Sequence, residues 1–263
     1  MSEPMAKRAT LLEAGLVIDG SGGPSWPGDV LILGDRVARL GEGLRERLPD
    51  GLTMADLEVI DCRGHVIAPG FIDAHTHDDA IVLRDPACLP KLSQGITTVV
   101  TGNCGISLAP YATRAALPPL TLLGADSFRH ATMRDYQQAV RTAQPALNVA
   151  ALIGHTTLRF AAMTDLTRAA SADERARMAA LLDACMVQGA HGMSSGLFYE
   201  EAFAAPADEV TALARIVATH GGVYATHLRS EMATILEAMH EAAASAFEAG
   251  VPLVISHHKC AGP

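Results

Sequence analysis

Several things are missing from this sequence, and each absence removes a class of function. No apolar stretch reaches membrane-spanning length, which argues against a helical span. No long basic run occurs and the net charge is −9, so neither nucleic acid nor an anionic membrane is expected as a partner. The opening Met1-Ser2-Glu3-Pro4-Met5-Ala6-Lys7-Arg8 lacks the basic-then-apolar order of a secretory signal. Cysteine is scarce and odd in number. The five residues, Cys62, Cys88, Cys104, Cys185 and Cys260, are widely scattered, which suits reduced thiols in the cytoplasm and not a disulfide framework. No fixed-period repeat or low-complexity tract stands out.

What is present is apolar content: 49% hydrophobic over 263 residues, enough for a large core. Residues 9–69 read as β-rich, with no helical period. Leu11 to Asp19 is a strand ended by Gly20-Ser21-Gly22-Gly23. Residues 29–33 and 36–40 flank Gly34-Asp35 as a hairpin would, and Glu58 to Asp61 adds a further strand. This part is expected to form a small β domain, 1–69, beside the remainder of the chain.

From residue 70 the rhythm changes to strands alternating with helices, the βα pattern of a parallel sheet or barrel. Strands are expected at 70–77, 95–101, 147–154, 189–195, 222–227 and 251–257. Ser171 with Glu174 makes a capping box, Pro206 opens the next helix and Gly221 closes it. Ser230 is expected to cap a third helix running to Gly250. The fold class is therefore α/β: an incomplete (β/α)8 TIM-like barrel over 70–263, of about six βα units, preceded by a small β-sandwich-type domain. Eight units close such a barrel, so the chain reads as the N-terminal portion of a longer protein, a fragment truncated after its sixth strand. The rival reading is an open sheet complete as written.

The chemistry gathers at strand ends, where barrel active sites lie. The first strand ends in His75-Thr76-His77, whose alternation places both imidazoles on one face, suited to one metal ion. The second runs into Asn103-Cys104-Gly105, a glycine-flanked thiol that as thiolate could bridge two zinc ions. The third ends at His155, the fifth at His227 and the sixth at His257. Each could alone be an ordinary core residue; their joint placement points to a metal site. Only one of His257 and His258 should reach the barrel mouth, because neighbours on a strand face opposite ways. His65, His130, His191, His220 and His240 stand in contexts that do not favour ligation.

Pro69 to His77 resembles the first metal motif of the amidohydrolase superfamily. The stretch Gly95 to Gly105 resembles the N-acyl-D-amino-acid deacylase (D-aminoacylase) branch, in which a cysteine replaces the carboxylated lysine of dihydroorotases and hydantoinases. Ser194 to Tyr199, Thr226 to Arg229 and Ser256 to Lys259 are similar to that branch as well. The resemblance implies that His75 and His77 hold one metal, His227 and His257 another, and Cys104 bridges them. It implies that Tyr199 and Lys259 contact a substrate carboxylate. It implies zinc, one or two ions, and hydrolysis of the linear amide of a small N-acyl-D-amino acid. The family's catalytic aspartate follows the eighth strand and is expected beyond Pro263, so no catalytic acid is expected within this chain; Asp73, Asp78 and Asp79 do not match that position. Two alternatives stand beside this reading. A cyclic amidase would need a lysine that Ala190 to Ser195 does not offer, and a non-catalytic metal-binding fragment would need no proton donor.

Overall fold

A computed structural model describes residues 9–262. Pro263 and residues 1–8, the segment compared with a secretory signal, lie outside the described residues. The described residues divide into two compact units, with the boundary between Gly70 and Phe71.

The first unit is a sheet of β1 (Ala9–Val17), β2 (Trp26–Leu33), β3 (Arg36–Gly41), β4 (Leu57–Asp61) and the short β5 (Val66–Ile67). The order is β3-β2-β1-β4, with β5 also pairing β1. β2 and β3 form the expected antiparallel hairpin, with Gly34 at φ +62° in its turn. Val30 and Leu31, neighbours on β2, feed separate apolar clusters, one with Val17 and Ile67 and the other with Leu11 and Leu44. Successive side chains of a strand point to opposite faces, so both faces of this sheet are packed.

The second unit starts at β6 (Phe71–Asp73), followed by the short helices α1 (Ile81–Arg84) and α2 (Leu89–Leu92), and by β7 (Ile96–Thr101). A two-stranded hairpin, β8 (Tyr111–Ala112) and β9 (Arg129–His130), leads to α3 (Met133–Ala143) and β10 (Asn148–Gly154). Then come α4 (His155–Ala162), α5 (Ala172–Val187), β11 (Gly192–Gly196), α6 (Glu200–Phe203), α7 (Ala207–Thr219), β12 (Val223–His227), α8 (Ile235–Ala249) and β13 (Leu253–Ile255). The large strands lie in the order β13-β12-β11-β10-β7-β6 and every pair is parallel. Each strand thus lies beside the one before it, and the result is a curled half-barrel with all carboxyl ends on one rim. Its core, with Ile106, Ile153, Met178, Met193 and Tyr224, fills the space between sheet and helices. Among the described residues no helix is long and apolar enough to cross a membrane.

Three of the boundaries that differ from expectation have a clear local reason. β6 stops at Asp73 and not at His77, because the Asp73 carboxylate accepts from the His75 amide at 3.2 Å and turns the chain out of the ladder. β13 stops at Ile255, and His257 and His258 take left-handed backbone, φ +57° and +45°. Ser230 does not cap the next helix. Its hydroxyl accepts from the Met232 amide at 3.2 Å, and α8 begins at Ile235 after a turn that carries the Glu231 side chain inward. The α5 capping box forms as expected, with the Ser171 amide donating to Glu174 at 2.8 Å.

Candidate metal centre

His75, His77, Cys104, His227 and His257 come together at the carboxyl rim. Two groups of ligand atoms, His75/His77/Cys104 and Cys104/His227/His257, each lie within 4.8 Å of one another and share the thiol. Cys104 Sγ is 3.4 Å from His75 Nε2 and 3.3 Å from His257 Nε2. The rings of His75 and His77 are 5.5 Å apart, and those of His227 and His257 4.6 Å. The two histidines of the HxH motif thus converge from a bend just past the strand, not from one face of it.

The loop that presents Cys104 is clamped at several points. Cys104 itself has φ +53°, a costly conformation for a residue with a Cβ. The Ser194 hydroxyl, on β11, accepts from the Gly105 amide at 2.9 Å and donates to the Gly102 carbonyl. The Thr157 amide, in the first turn of α4, donates to the Gly105 carbonyl at 3.2 Å. A Cβ on Gly154 would stand 2.3 Å from the Gly105 carbonyl oxygen, and one on Gly196 would stand 2.2 Å from that of Cys104. The neighbouring strands approach the loop this closely only because they carry glycine there.

Burial sets the electrostatics. It lowers His75 and His227 to about 4, with the neighbouring imidazoles adding to the effect, and it lowers His77 as well. All three are therefore neutral at pH 7, with lone pairs available. Burial also pushes the Cys104 thiol up to about 12, which the Tyr199 hydroxyl only partly offsets. A divalent cation reverses that balance by holding the thiolate. Both ring nitrogens of His227 and Nδ1 of His77 are buried and have no hydrogen-bond partner among the described residues. Buried polar atoms are rarely left so, and a soft-to-borderline donor set of imidazoles and a thiol is what zinc takes. The residues present fit the metal.

The remaining site residues sort out clearly. The Tyr199 ring lies 5.2 Å from that of His227, beside the cluster. Lys259 stands at the rim with its side chain 57% exposed, 3.0 Å from Glu231. His155 is not part of the cluster. It opens α4, fully buried, with Nε2 2.9 Å from Glu209, as a hydrogen-bonded core histidine. His258 is exposed and stands outside both triads, as do His65, His130, His191, His220 and His240. Asp73 and Asp78 are shared by Lys91 at 2.6 and 3.2 Å, and Asp79 is buried against the Gly102 amide.

No sequence motif singles out Glu231. Its carboxylate is 3.2 Å from His257 Nδ1, 3.5 Å from His227 Nε2 and 3.0 Å from Lys259 Nζ. Burial pushes this carboxyl up, and the Lys259 hydrogen bond with the surrounding positive charge outweighs it, so the group stays below its ordinary value. The one sequence signal was its position four residues past His227, in a segment read there as the start of a helix.

Residues 58–259 match the family model described as the amidohydrolase family. The chain is 47% identical to N-acyl-D-aspartate deacylase of Alcaligenes xylosoxydans xylosoxydans, covering 100% of this chain and 51% of that protein. A solved structure of D-aminoacylase, a protein with a binuclear metal centre, superposes with a TM-score of 0.88 at 47% identity, over 95% of this chain and 51% of that one. A structure of N-acyl-D-glutamate deacylase from Bordetella bronchiseptica, complexed with zinc and a phosphonate mimic of the tetrahedral intermediate, superposes at 0.86 and 39% identity, over 97% and 52%. The chain spans about half the length of the curated relatives it matches.

Proposed function

The chain belongs to the amidohydrolase family, and from that premise we propose that it forms part of a zinc-dependent N-acyl-D-amino-acid deacylase. Such an enzyme cleaves a linear amide to a carboxylate and a free D-amino acid. The observation that carries the reading is the pair of histidine triads sharing the buried Cys104. In it, His75 and His77 would hold one zinc and His227 and His257 a second, with the Cys104 thiolate available to either. When bound, zinc supplies Lewis acidity: it makes water nucleophilic near pH ~7 and polarises the amide carbonyl.

The chain's own residues do the rest of the positioning. The neutral imidazoles offer their lone pairs without first losing a proton. Tyr199, beside His227, and Lys259, at the rim, receive the substrate's carboxylate and orient the scissile amide over the cluster. The ring of Tyr199 excludes water on the His227 side. The departing amine needs a proton from a positioned acid. Among the described residues the nearby carboxylates are already engaged: Asp73 and Asp78 by Lys91, Asp79 by a backbone amide, and Glu231 by His257 and Lys259. From the resemblance, that acid is read as an aspartate from elsewhere in the protein, and the 263-residue chain by itself as inactive or nearly so. The sheet of residues 9–70 is read as the N-terminal part of a β-sandwich.

A cyclic amidase finds no support in the site. Ser194 on β11 binds the backbone of the Cys104 loop, and that strand offers no lysine. The test is acetate release from N-acetyl-D-aspartate and from other N-acetyl-D-amino acids. The assay compares the 263-residue chain with a protein extended to the length of its relatives. Release only by the longer protein supports the reading; full turnover by the 263-residue chain refutes the need for an outside acid.

A further inference from the structure

The Glu231 carboxylate is buried, 8% exposed, yet belongs to neither triad. A carboxylate removed from water needs partners, and the partners here are nitrogens of the site itself. One oxygen is 3.2 Å from His257 Nδ1 and the other 3.0 Å from Lys259 Nζ. His257 comes after the end of β13 in left-handed backbone, so no strand ladder fixes its ring. Its Nε2 faces Cys104 Sγ at 3.3 Å, and Glu231 is what engages its other nitrogen.

We propose that Glu231 is a positioning residue: it takes the Nδ1–H of His257, which leaves the Nε2 lone pair for the metal, and it holds the Lys259 ammonium at the rim beside that dication. The inference rests on the metal-centre reading and adds to it the residue that links metal binding to substrate recognition. The first half rests on tautomerism. A carboxylate accepting from one ring nitrogen places the proton there, aims the other nitrogen and raises its basicity. The second half rests on charge. An ammonium beside a divalent cation repels it, and an anion between them offsets the repulsion. Glutamine cannot replace both functions, because its amide has one acceptor oxygen for two donors.

Cobalt(II) titrated into the metal-free 263-residue chain reads both effects. Thiolate-to-cobalt absorption reports Cys104, and competition with a chelator gives affinity. Glu231→Gln is expected to bind cobalt about 10–100-fold more weakly, in the range found when the carboxylate behind a histidine ligand is lost. Glu231→Asp should fall between Glu231→Gln and the parent. Adding Lys259→Met to Glu231→Gln should recover part of the lost affinity, which a merely structural role for Glu231 would not produce. Lys259→Met alone changes an exposed side chain and should bind cobalt at least as tightly as the parent. Unchanged affinity in Glu231→Gln, no recovery in the double variant, or weaker binding by Lys259→Met would overturn the proposal. A parent chain that takes up cobalt without a thiolate band would refute the metal-centre reading instead.

Discussion

Replacing Arg159 with methionine tests the buried charge network that α4 shares with α7. Arg159 is fully buried on α4, and all three nitrogens of its guanidinium donate. It donates to Glu209 at 2.7 Å and to the carbonyls of Glu201, Leu166 and Arg168 at 2.8–3.0 Å. Glu209 is equally buried and also accepts from His155 at 2.9 Å. Burial raises the Glu209 carboxyl, but the His155 hydrogen bond and the charge of Arg159 overcome it and hold the group at about 2. Methionine fills similar space but leaves an ionised carboxylate buried, at a cost of about 3–5 kcal/mol. The orphaned carbonyls add to that figure, partly offset by relaxation. A total near 4 kcal/mol corresponds to a melting-point drop of about 10–15 °C for a unit of this size. The assay is thermal and urea unfolding of the 263-residue chain. A second substitution, Glu209→Gln, should restore part of the loss, because no unpaired charge then remains. The sign with pH is also set. Glu209 is lowered from 4.5 to about 2, so its contribution is whole above pH 4.5 and fades as pH falls toward 2. The gap between parent and Arg159→Met should therefore narrow on acidification over that window. A loss under about 1 kcal/mol, well below the cost of an unpaired buried charge, or a gap that widens in acid, would refute this account of the network.

Cys104→Ala removes the donor common to both triads, so zinc per chain by atomic absorption should fall to a small fraction of the parent's; retention of the parent's zinc would place the metal elsewhere. Ser194→Ala deletes the hydroxyl that joins the Gly102 carbonyl to the Gly105 amide. Leaving those groups unsatisfied should cost about 1–3 kcal/mol in urea unfolding and weaken zinc binding at the same time. Gly154→Ala leaves an ordinary backbone angle but drives a methyl into the Gly105 carbonyl. It should destabilise the chain by about 1–3 kcal/mol or more and lower zinc content, whereas Gly221→Ala, strained at φ +66° but with no atom near its new methyl, should cost stability and leave the zinc content of the folded chain unchanged.

Much of the fold is legible in the residues. Apolar runs such as Ile96 to Thr101 alternate with capped helices such as that after Ser171, and this pattern alone specifies parallel βα units. The hairpin at Gly34 is a product of turn chemistry. The ends of β6 and β13 were not legible, since a side chain capturing an amide, as Asp73 does, competes with the strand ladder at similar energy. Ser230 misled for a related reason: it has the chemistry of a helix cap but serves a turn.

The sequence by itself determined the donor set: two histidines, a glycine-flanked thiol and further histidines, each at the end of a strand, because barrel topology sends all strand ends to one rim. It determined the resemblance that names the chemistry. Tertiary structure alone decided which of these residues meet. His227 and His257 close around Cys104, while His155, from an equally promising strand end, turns into the core to serve Glu209. Tertiary structure also brought forward Glu231, whose meaning lies in atoms up to 28 residues away along the chain, at His257 and Lys259. Periodicity and motif spacing carry what neighbours along the chain decide. Convergence of side chains from separate strands depends on where each loop turns, and that is set by packing and hydrogen bonds distributed over the whole unit.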